Sequence, residues 1–386
     1  MSRLVTLYPA AKEIILQANK SPAGLLPFAE FNRLSHYGEK GFYNSGYVQI
    51  GMDGDFTTDA ARLGKSFAIA VSKAWKASGR PEKFTLVEAG AGHGQMMLGC
   101  LDYLAAHHPE LYQLISPTIV EISPALIARQ RDTLGAHREK MAWLNKSVLA
   151  LPKLGKVGMV ISNEILDDLP FAFQRLWVKT ENGQKIATWH NLHVKYDDQK
   201  DKFSFVEVNS VKYLNIPNTS RWELVGNRSE IPGLDFKADE EEIKHQLSLL
   251  SRSNPTPKSY EPYIVGTSAA SCTAYVEKTL NAFDKTVSIF IDYGVRDRLP
   301  GVMLFDHGQK SHDIAIALRK PGQVNPTHVV DFGWAEEAAE KAGAQVANMK
   351  RADFLAWNKT PSIPLLPGEE DHLVQIQTRG LASLRI

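Results

Sequence analysis

Three acids stand within five positions in Glu164-Ile-Leu-Asp167-Asp168, preceded by Asn163 and followed by Leu169-Pro170. Carboxylates gathered in this way can orient a nucleophile, take a proton from it, or hold a planar cation through paired hydrogen bonds. Glu164, Asp167 and Asn163 are therefore candidate reacting groups and Asp168 a candidate substrate contact, with helix capping the alternative for Asp167 or Asp168. A second set lies in Phe84-Thr-Leu-Val-Glu88-Ala-Gly90-Ala-Gly92-His-Gly94 and Thr118-Ile-Val-Glu121-Ile122-Ser-Pro124. Each begins as an apolar run that ends in an acid. Alternating glycines permit left-handed backbone and close approach to a bulky ligand. A carboxylate at the tip of the neighbouring strand can accept from both hydroxyls of a ribose. Glu88, Gly90, Gly92, Gly94, Glu121 and Ile122 thus point to a nucleoside-containing cofactor. The spacing disfavours a dinucleotide: G-x-G-x-x-G needs glycine where this chain has Gln95, and the third glycine arrives early at Gly94.

Such groups need strands whose ends meet. The segments Phe84–Glu88, Thr118–Ile122, Ala142–Lys146, Val157–Ser162 and Val287–Tyr293 read as strands, with helical patterns such as Gln95–His107 between them. That alternation predicts a doubly wound α/β sheet with ligands at the carboxyl ends of its strands. Leu4–Ala18, Pro27–Leu34 and Leu63–Ala77 have helical spacing, as does Trp334–Ala342, whereas Lys202–Val208, Asp313–Leu318 and Val329–Phe332 read as strands. The departure at Thr188–Ala282 is too long for a loop and predicts an inserted subdomain. The expected organisation is an N-terminal helical and aromatic region at 1–80 and a first core segment at 81–187. An inserted α+β cap at 188–282 and the rest of the core at 283–386 complete it.

Composition excludes several classes. Of 386 residues 44% are hydrophobic and 23% charged, as in ordinary globular proteins, and a net charge of +1 argues against a broad nucleic-acid surface. No apolar run approaches the ~20 residues of a membrane span, and the first residues lack a secretory pattern. A cytoplasmic protein without membrane attachment is expected, a homodimer being one option. Cys100 and Cys272 match no metal or redox spacing and read as buried thiols. No metal site is expected: His36, His307 and His328 read as satisfied surface or core histidines.

E-x-G-x-G-x-G followed by an acidic second-strand end resembles the class I S-adenosylmethionine (SAM) methyltransferases. Further blocks sharpen the resemblance to their MidA family: Leu26-Pro-Phe-Ala-Glu-Phe31, Gly41-Phe-Tyr43, Gly54-Asp55-Phe-Thr-Thr58 and Val120–Pro124 with Gln130. Asn163-Glu-x-x-Asp167-x-Leu-Pro170, Asp292-Tyr293-Gly294 and Thr327-x-x-Val-Asp331-Phe332 continue it, so that it runs from about Pro27 to Leu355. The resemblance implies a Rossmann-like seven-strand sheet, a helical N-terminal region, an inserted cap and SAM as cofactor. It adds Asp55 and Thr58 to the cofactor pocket. On the substrate side the reading places Tyr43, Asp292 and Tyr293, a structural role being the alternative for Asp292. Tyr37, Phe42, Tyr43, Tyr47 and Phe56 could cover a sulfonium or pack the N-terminal region. For mitochondrial members of the family the resemblance implies symmetric dimethylation of an arginine on a respiratory complex I subunit.

Departures fall on the substrate side. The family's Ser-Pro-Glu-Ile is Asp59-Ala-Ala-Arg62 here, an expected Asp is Asn325, and an expected Gln is Arg351. Losing a carboxylate weakens a double clamp on arginine. The acceptor is thus a protein side chain, with arginine foremost, or a small molecule methylated at O, N or C. A non-catalytic assembly factor is the reading from another class.

Overall fold

The computed structural model describes residues 3–46, 48, 60–216, 221–228, 240–253, 262–296, 298–306, 309–359 and 372–381. Contacts divide the chain into two units, each discontinuous in sequence. One comprises Gly46–Asp168, Ala270–Gly294 and Phe332–Ile386, the other Met1–Ser45, Leu169–Ala269 and Val295–Asp331.

The first unit carries both constellations on a seven-stranded sheet. Its strands are β1 (Phe84–Ala89), β2 (Ile115–Glu121), β3 (Ala142–Asn145), β4 (Gly155–Asn163), β5 (Phe283–Asp292), β6 (Gln345–Lys350) and β7 (Leu373–Arg379). In space they run β6-β7-β5-β4-β1-β2-β3. β1 to β5 pair in parallel, and β7 lies antiparallel between β5 and β6. The chain moves from β1 outward to β3, then returns to the other side of β1 with β4. Strand order therefore reverses between β1 and β4, and their carboxyl ends flank the crevice where ligands of such sheets sit. Period-two alternation sends successive side chains to opposite faces. Leu86, Ile119, Met159 and Ile289 pack with Phe67, Val71, Met97 and Leu101 of the helices Ala60–Ala77 and Gln95–His107. Val87, Val120 and Val160 pack on the opposite side with Leu151 and Phe283.

β1 to β5 are the strands expected from sequence, and the helix Gln95–His107 has the expected bounds. β6 and β7 were not among the expected segments. Polar residues hide them: Gln375 Nε2 donates to Asn348 Oδ1 and to the Phe332 carbonyl, and Gln377 Nε2 donates to Gln375 Oε1.

The second unit is mainly an antiparallel meander. Ala172–Glu181, Gln184–Asp197, Lys202–Asn215 and Trp222–Arg228 pair in succession. Tyr263–Thr267 pairs with the first of these and Leu25–Pro27 with the second. Asn182 and Gly183, with φ of 52° and 80°, form the tight turn of the first hairpin. The meander thus begins ahead of the insertion start expected at Thr188. The helix Phe28–Tyr37 lies in this unit, Phe28 packing on Phe171, Phe173 and Phe205. A three-stranded sheet joins Gln309–Ser311, Val302–Asp306 and Asn325–His328. The strand expected at Asp313–Leu318 is instead a turn leading into the helix Ala315–Arg319. Asp313 Oδ1 accepts from the Ala315 amide, and Ile314, Ala317 and Leu318 bury one helical face. Leu4–Ala18 is two helices, Arg3–Leu7 and Ala10–Lys20. Among the described residues no helix is long and apolar enough to cross a membrane. Cys100 and Cys272 are buried free thiols.

The centre of the sheet leaves no room for growth at Gly158 of β4. A Cβ there would lie 2.5 Å from Phe283 Cζ and 2.6 Å from the Thr85 carbonyl oxygen. Gly158→Ala is expected to lose roughly 1–3 kcal/mol of stability, read as a lower urea midpoint; an unchanged midpoint would contradict this packing.

Candidate functional site

After β1 the backbone is left-handed at Gly90, Gly92 and Gly94, with φ of 62°, 51° and 84°. Gly90 is the tightest position, since a Cβ there would fall 2.0 Å from Ile165 Cδ1 in the loop after β4. Glu88 is only 3% exposed, and its carboxylate accepts from the Met97 amide in the first turn of Gln95–His107. Its Oε2 has no hydrogen-bond partner. Burial pushes this carboxyl up to about 8, against the pull of the Met97 amide and with Glu121 adding to the rise.

Glu121, at the tip of β2, is held by the amides of Ser123 and Ile122 and by Gln130. Oε1 accepts from the Ser123 amide at 2.9 Å and Oε2 from Gln130 Nε2 at 3.1 Å. Gln130 Nε2 also donates to the Gly92 carbonyl at 2.9 Å, so one amide ties the β2 tip to the glycine turn. Burial nonetheless pushes Glu121 up to about 7, its donors opposing. Asn145 Nδ2 donates to the carbonyls of Glu121 and the half-buried Ile122. Arg129 contacts His93 Nε2 at 3.0 Å and donates to the carbonyls of Gly46 and Val48. Nothing in the sequence pattern singled out Arg129.

The loop after β4 wraps around a single carboxylate. Asp292 ends β5 and is fully buried; its Oδ2 accepts from the amides of Ile165, Leu166 and Asp167 at 3.1, 2.8 and 3.2 Å. Its Oδ1 accepts from the Tyr293 amide at 2.8 Å. Burial raises this carboxyl well above its ordinary value, and the charge of Glu164 adds to the rise; the amides of Asp167 and Tyr293 oppose it, while Asp168 adds a further, smaller rise. Glu164 itself adopts φ 53°, its amide donating to the Ile291 carbonyl. Its Oε1 lies 3.3 Å from His372 Nε2 and 3.4 Å from Asn163 Nδ2. The His372 imidazole packs on the Tyr293 ring, centroids 3.9 Å apart, and is 2% exposed. Asp167 and Asp168 are buried in the same loop, and Asn163 Oδ1 has no partner.

The first unit therefore gathers Glu88, the three glycines, Glu121, Ile122, Asn163, Glu164, Asp167, Asp168, Asp292 and Tyr293. Tyr43 belongs to the second unit, where it stacks on Tyr37 and its hydroxyl accepts from Asn325 Nδ2 at 3.2 Å. Asp55 and Thr58 lie outside the described residues, as do Tyr47 and Phe56. His372 went unnoticed in the sequence. It stands far from every motif, and only the antiparallel return of β7 brings it beside Glu164.

Residues 66–350 match the sequence profile of a family described as S-adenosyl-L-methionine-dependent methyltransferases. Two solved structures from Burkholderia thailandensis are similar along almost the whole chain. One, with S-adenosyl-homocysteine bound, is 23% identical with a TM-score of 0.68, covering 98% of this chain and 94% of that one. The other, a native structure of an uncharacterised protein, is 22% identical with a TM-score of 0.65 and the same coverage. At such identity the likeness carries the fold.

The geometry makes Asp292 an anchor for the loop. Asp292→Ala would leave four amides without their acceptor, two of them buried and two half-buried, and is expected to lower stability by roughly 3 kcal/mol or more, measured by urea unfolding. A loss under half that would show that the loop holds itself.

Proposed function

We propose, for a chain that belongs to this family of S-adenosyl-L-methionine-dependent methyltransferases, that the acceptor is a neutral small molecule whose hydroxyl or amine proton passes to Glu164. The residues present fit the cofactor. Glu88 Oε2, Gln130 Oε1 and Asn163 Oδ1 are buried acceptors without partners, set around the carboxyl ends of β1, β2 and β4. SAM carries matching donors in its ribose hydroxyls, its ammonium and its adenine amino group, and its sulfonium is cationic. In this reading Glu121 holds the ribose, the glycine turn with Glu88 holds the methionine end, and Ile122 lies along the adenine. Asp55 and Thr58 join the pocket through the family motif. The bound cofactor supplies a methyl carbon activated by the sulfonium.

The chain's own groups then handle the acceptor. Glu164 would take the acceptor's proton as the acceptor's lone pair takes the methyl group that bound SAM would supply. Asn163 and His372 both reach Glu164 Oε1 and so set the direction of that carboxylate. Asp167, Asp168 and Tyr293 are assigned to acceptor contact. Asp292 is assigned to holding the loop.

The observation that carries the choice of acceptor is the 3.3 Å contact between Glu164 and His372. A guanidinium clamp needs carboxylates committed to the cation. Here Asp292 is occupied by backbone amides and Glu164 already faces an imidazole. Protein arginine, the target implied by the family resemblance, is the competing outcome.

Incubation with methyl-labelled SAM and an extract of the source organism separates the two. Label is expected in the small-molecule fraction and absent with Glu164→Ala, which should still bind SAM. Label in protein would overturn the proposed acceptor. SAM binding without any transfer would overturn catalysis itself.

The raised carboxyl of Glu121 makes a second expectation. Its ionised form is the better acceptor for ribose hydroxyls, so binding releases a proton below its pKa of about 7. SAM affinity should fall as pH drops through 7, by up to about tenfold per unit from Glu121, and Glu121→Gln should bind weakly with a shallower profile. Without ligand the sign reverses. The raised values of Glu88 and Glu121 contribute stability at pH below 4.5, and that contribution is lost as pH rises through about 7 to 8. Calorimetric titration across pH 5–8.5 checks the first trend and thermal unfolding the second.

A further inference from the structure

The helix Phe28–Tyr37 turns charge outward, where Glu30 and Arg33 pair on the exposed side. Inward it presents Asn32, Ser35 and His36, spaced three and four apart on one face and 0%, 1% and 0% exposed. Among the described residues, neither amide atom of Asn32, nor Ser35 Oγ, nor either ring nitrogen of His36 has a hydrogen-bond partner. The sequence reads His36 as a satisfied histidine, and the structure corrects that. Its ring is walled by Tyr37, Tyr43 and Phe42, at 5.6, 5.8 and 6.4 Å between centroids. Next to these, Asn325 spends its Nδ2 on the Tyr43 hydroxyl while its Oδ1 has no partner.

Buried polar atoms nearly always find partners, because each one left without a partner destabilises the fold. Five on one helix face are more than packing requires, since leucine or alanine would fill the same space. Local rules broken without structural gain are a mark of function. The group contains amide, hydroxyl and imidazole donors together with amide acceptors, all beside aromatic rings. It contains no charge, as burial holds His36 neutral by pushing it down to about 3. An ion would enter with nothing to balance it.

We propose that the second unit binds a neutral small molecule bearing an amide or adjacent hydroxyls on a flat ring. Asn32, Ser35, His36 and Asn325 make its hydrogen bonds, and the aromatic wall of Tyr37, Phe42 and Tyr43 packs against the ring. This site goes beyond the transfer reaction and does not rest on it.

The test uses the full-length protein and three probes of one size, benzamide, benzoate and benzamidinium, followed by ligand-observed NMR. Benzamide is expected to bind, and the two ions at least about tenfold more weakly, as a neutral hydrogen-bonding site requires. Combining Asn32→Leu, Ser35→Ala and His36→Leu should abolish benzamide binding while SAM still binds. The same variant should melt a few degrees higher, because it removes polar atoms that have no partner in the free protein. Groups with a structural task would give the opposite sign, so a lower melting temperature overturns the proposal. Benzamide that fails to bind the wild type, binds no better than the ions, or binds the triple variant equally well also overturns it. Loss of SAM binding in Glu121→Ala with benzamide binding intact would separate the two sites.

Discussion

The carboxylate of Asp292 gathers the amides of Ile165, Leu166, Asp167 and Tyr293, and the loop after β4 is built on that contact. A short loop whose amides converge needs an acceptor at the centre, and an ionised carboxylate is the strongest that a side chain offers. Strand register supplies it. β5 pairs in parallel with β4, placing Ile291 opposite Asn163, so the next residue, Asp292, reaches into the loop just beyond β4. With the loop closed, Glu164 is held in its left-handed conformation and Ile165 sits against Gly90. The glycine turn and the acidic loop thereby share one wall.

The same crevice concentrates acids in a protein whose net charge is only +1. Glu88, Glu121 and Asp292 are all buried, and all three are shifted upward, chiefly by burial. Buried acids in a cleft resist ionisation until a cation or a set of donors arrives. A ligand carrying a sulfonium, an ammonium and several hydroxyls answers that need, which joins the electrostatics of the crevice to the family chemistry. The buried polar face of Phe28–Tyr37 has the opposite character, neutral throughout.

Two departures from the family pattern acquire physical content. Asn325 bonds the Tyr43 hydroxyl, so a neutral amide stands where a carboxylate was expected. Arg351, where glutamine was expected, is 2% exposed, and its backbone amide donates to the His372 carbonyl at 2.9 Å, a bond that either residue would make.

By itself the sequence determined the features whose causes are local. The β1 run ending at Glu88, the glycine turn, the β2 tip at Glu121, the helix Gln95–His107 and the β4 end at Asn163 all follow from apolar periodicity and turn chemistry within a dozen residues. The hairpin at Asn182-Gly183 went unread, because both residues fell within the expected first core segment, although two consecutive left-handed residues favour that pair. What long-range contact creates was not legible. β6 and β7 are strands through backbone ladders to β5 and to each other, with Gln375 bonded to Asn348 across them, and Asp313–Leu318 looks like a strand until Asp313 accepts from the Ala315 amide at the start of a helix. Local pattern named Asp292 and Glu164 as acids, but only the fold decided that one holds a loop and the other faces His372. Hydrogen bonding joins residues by distance in space, and distance along the chain carries no record of it.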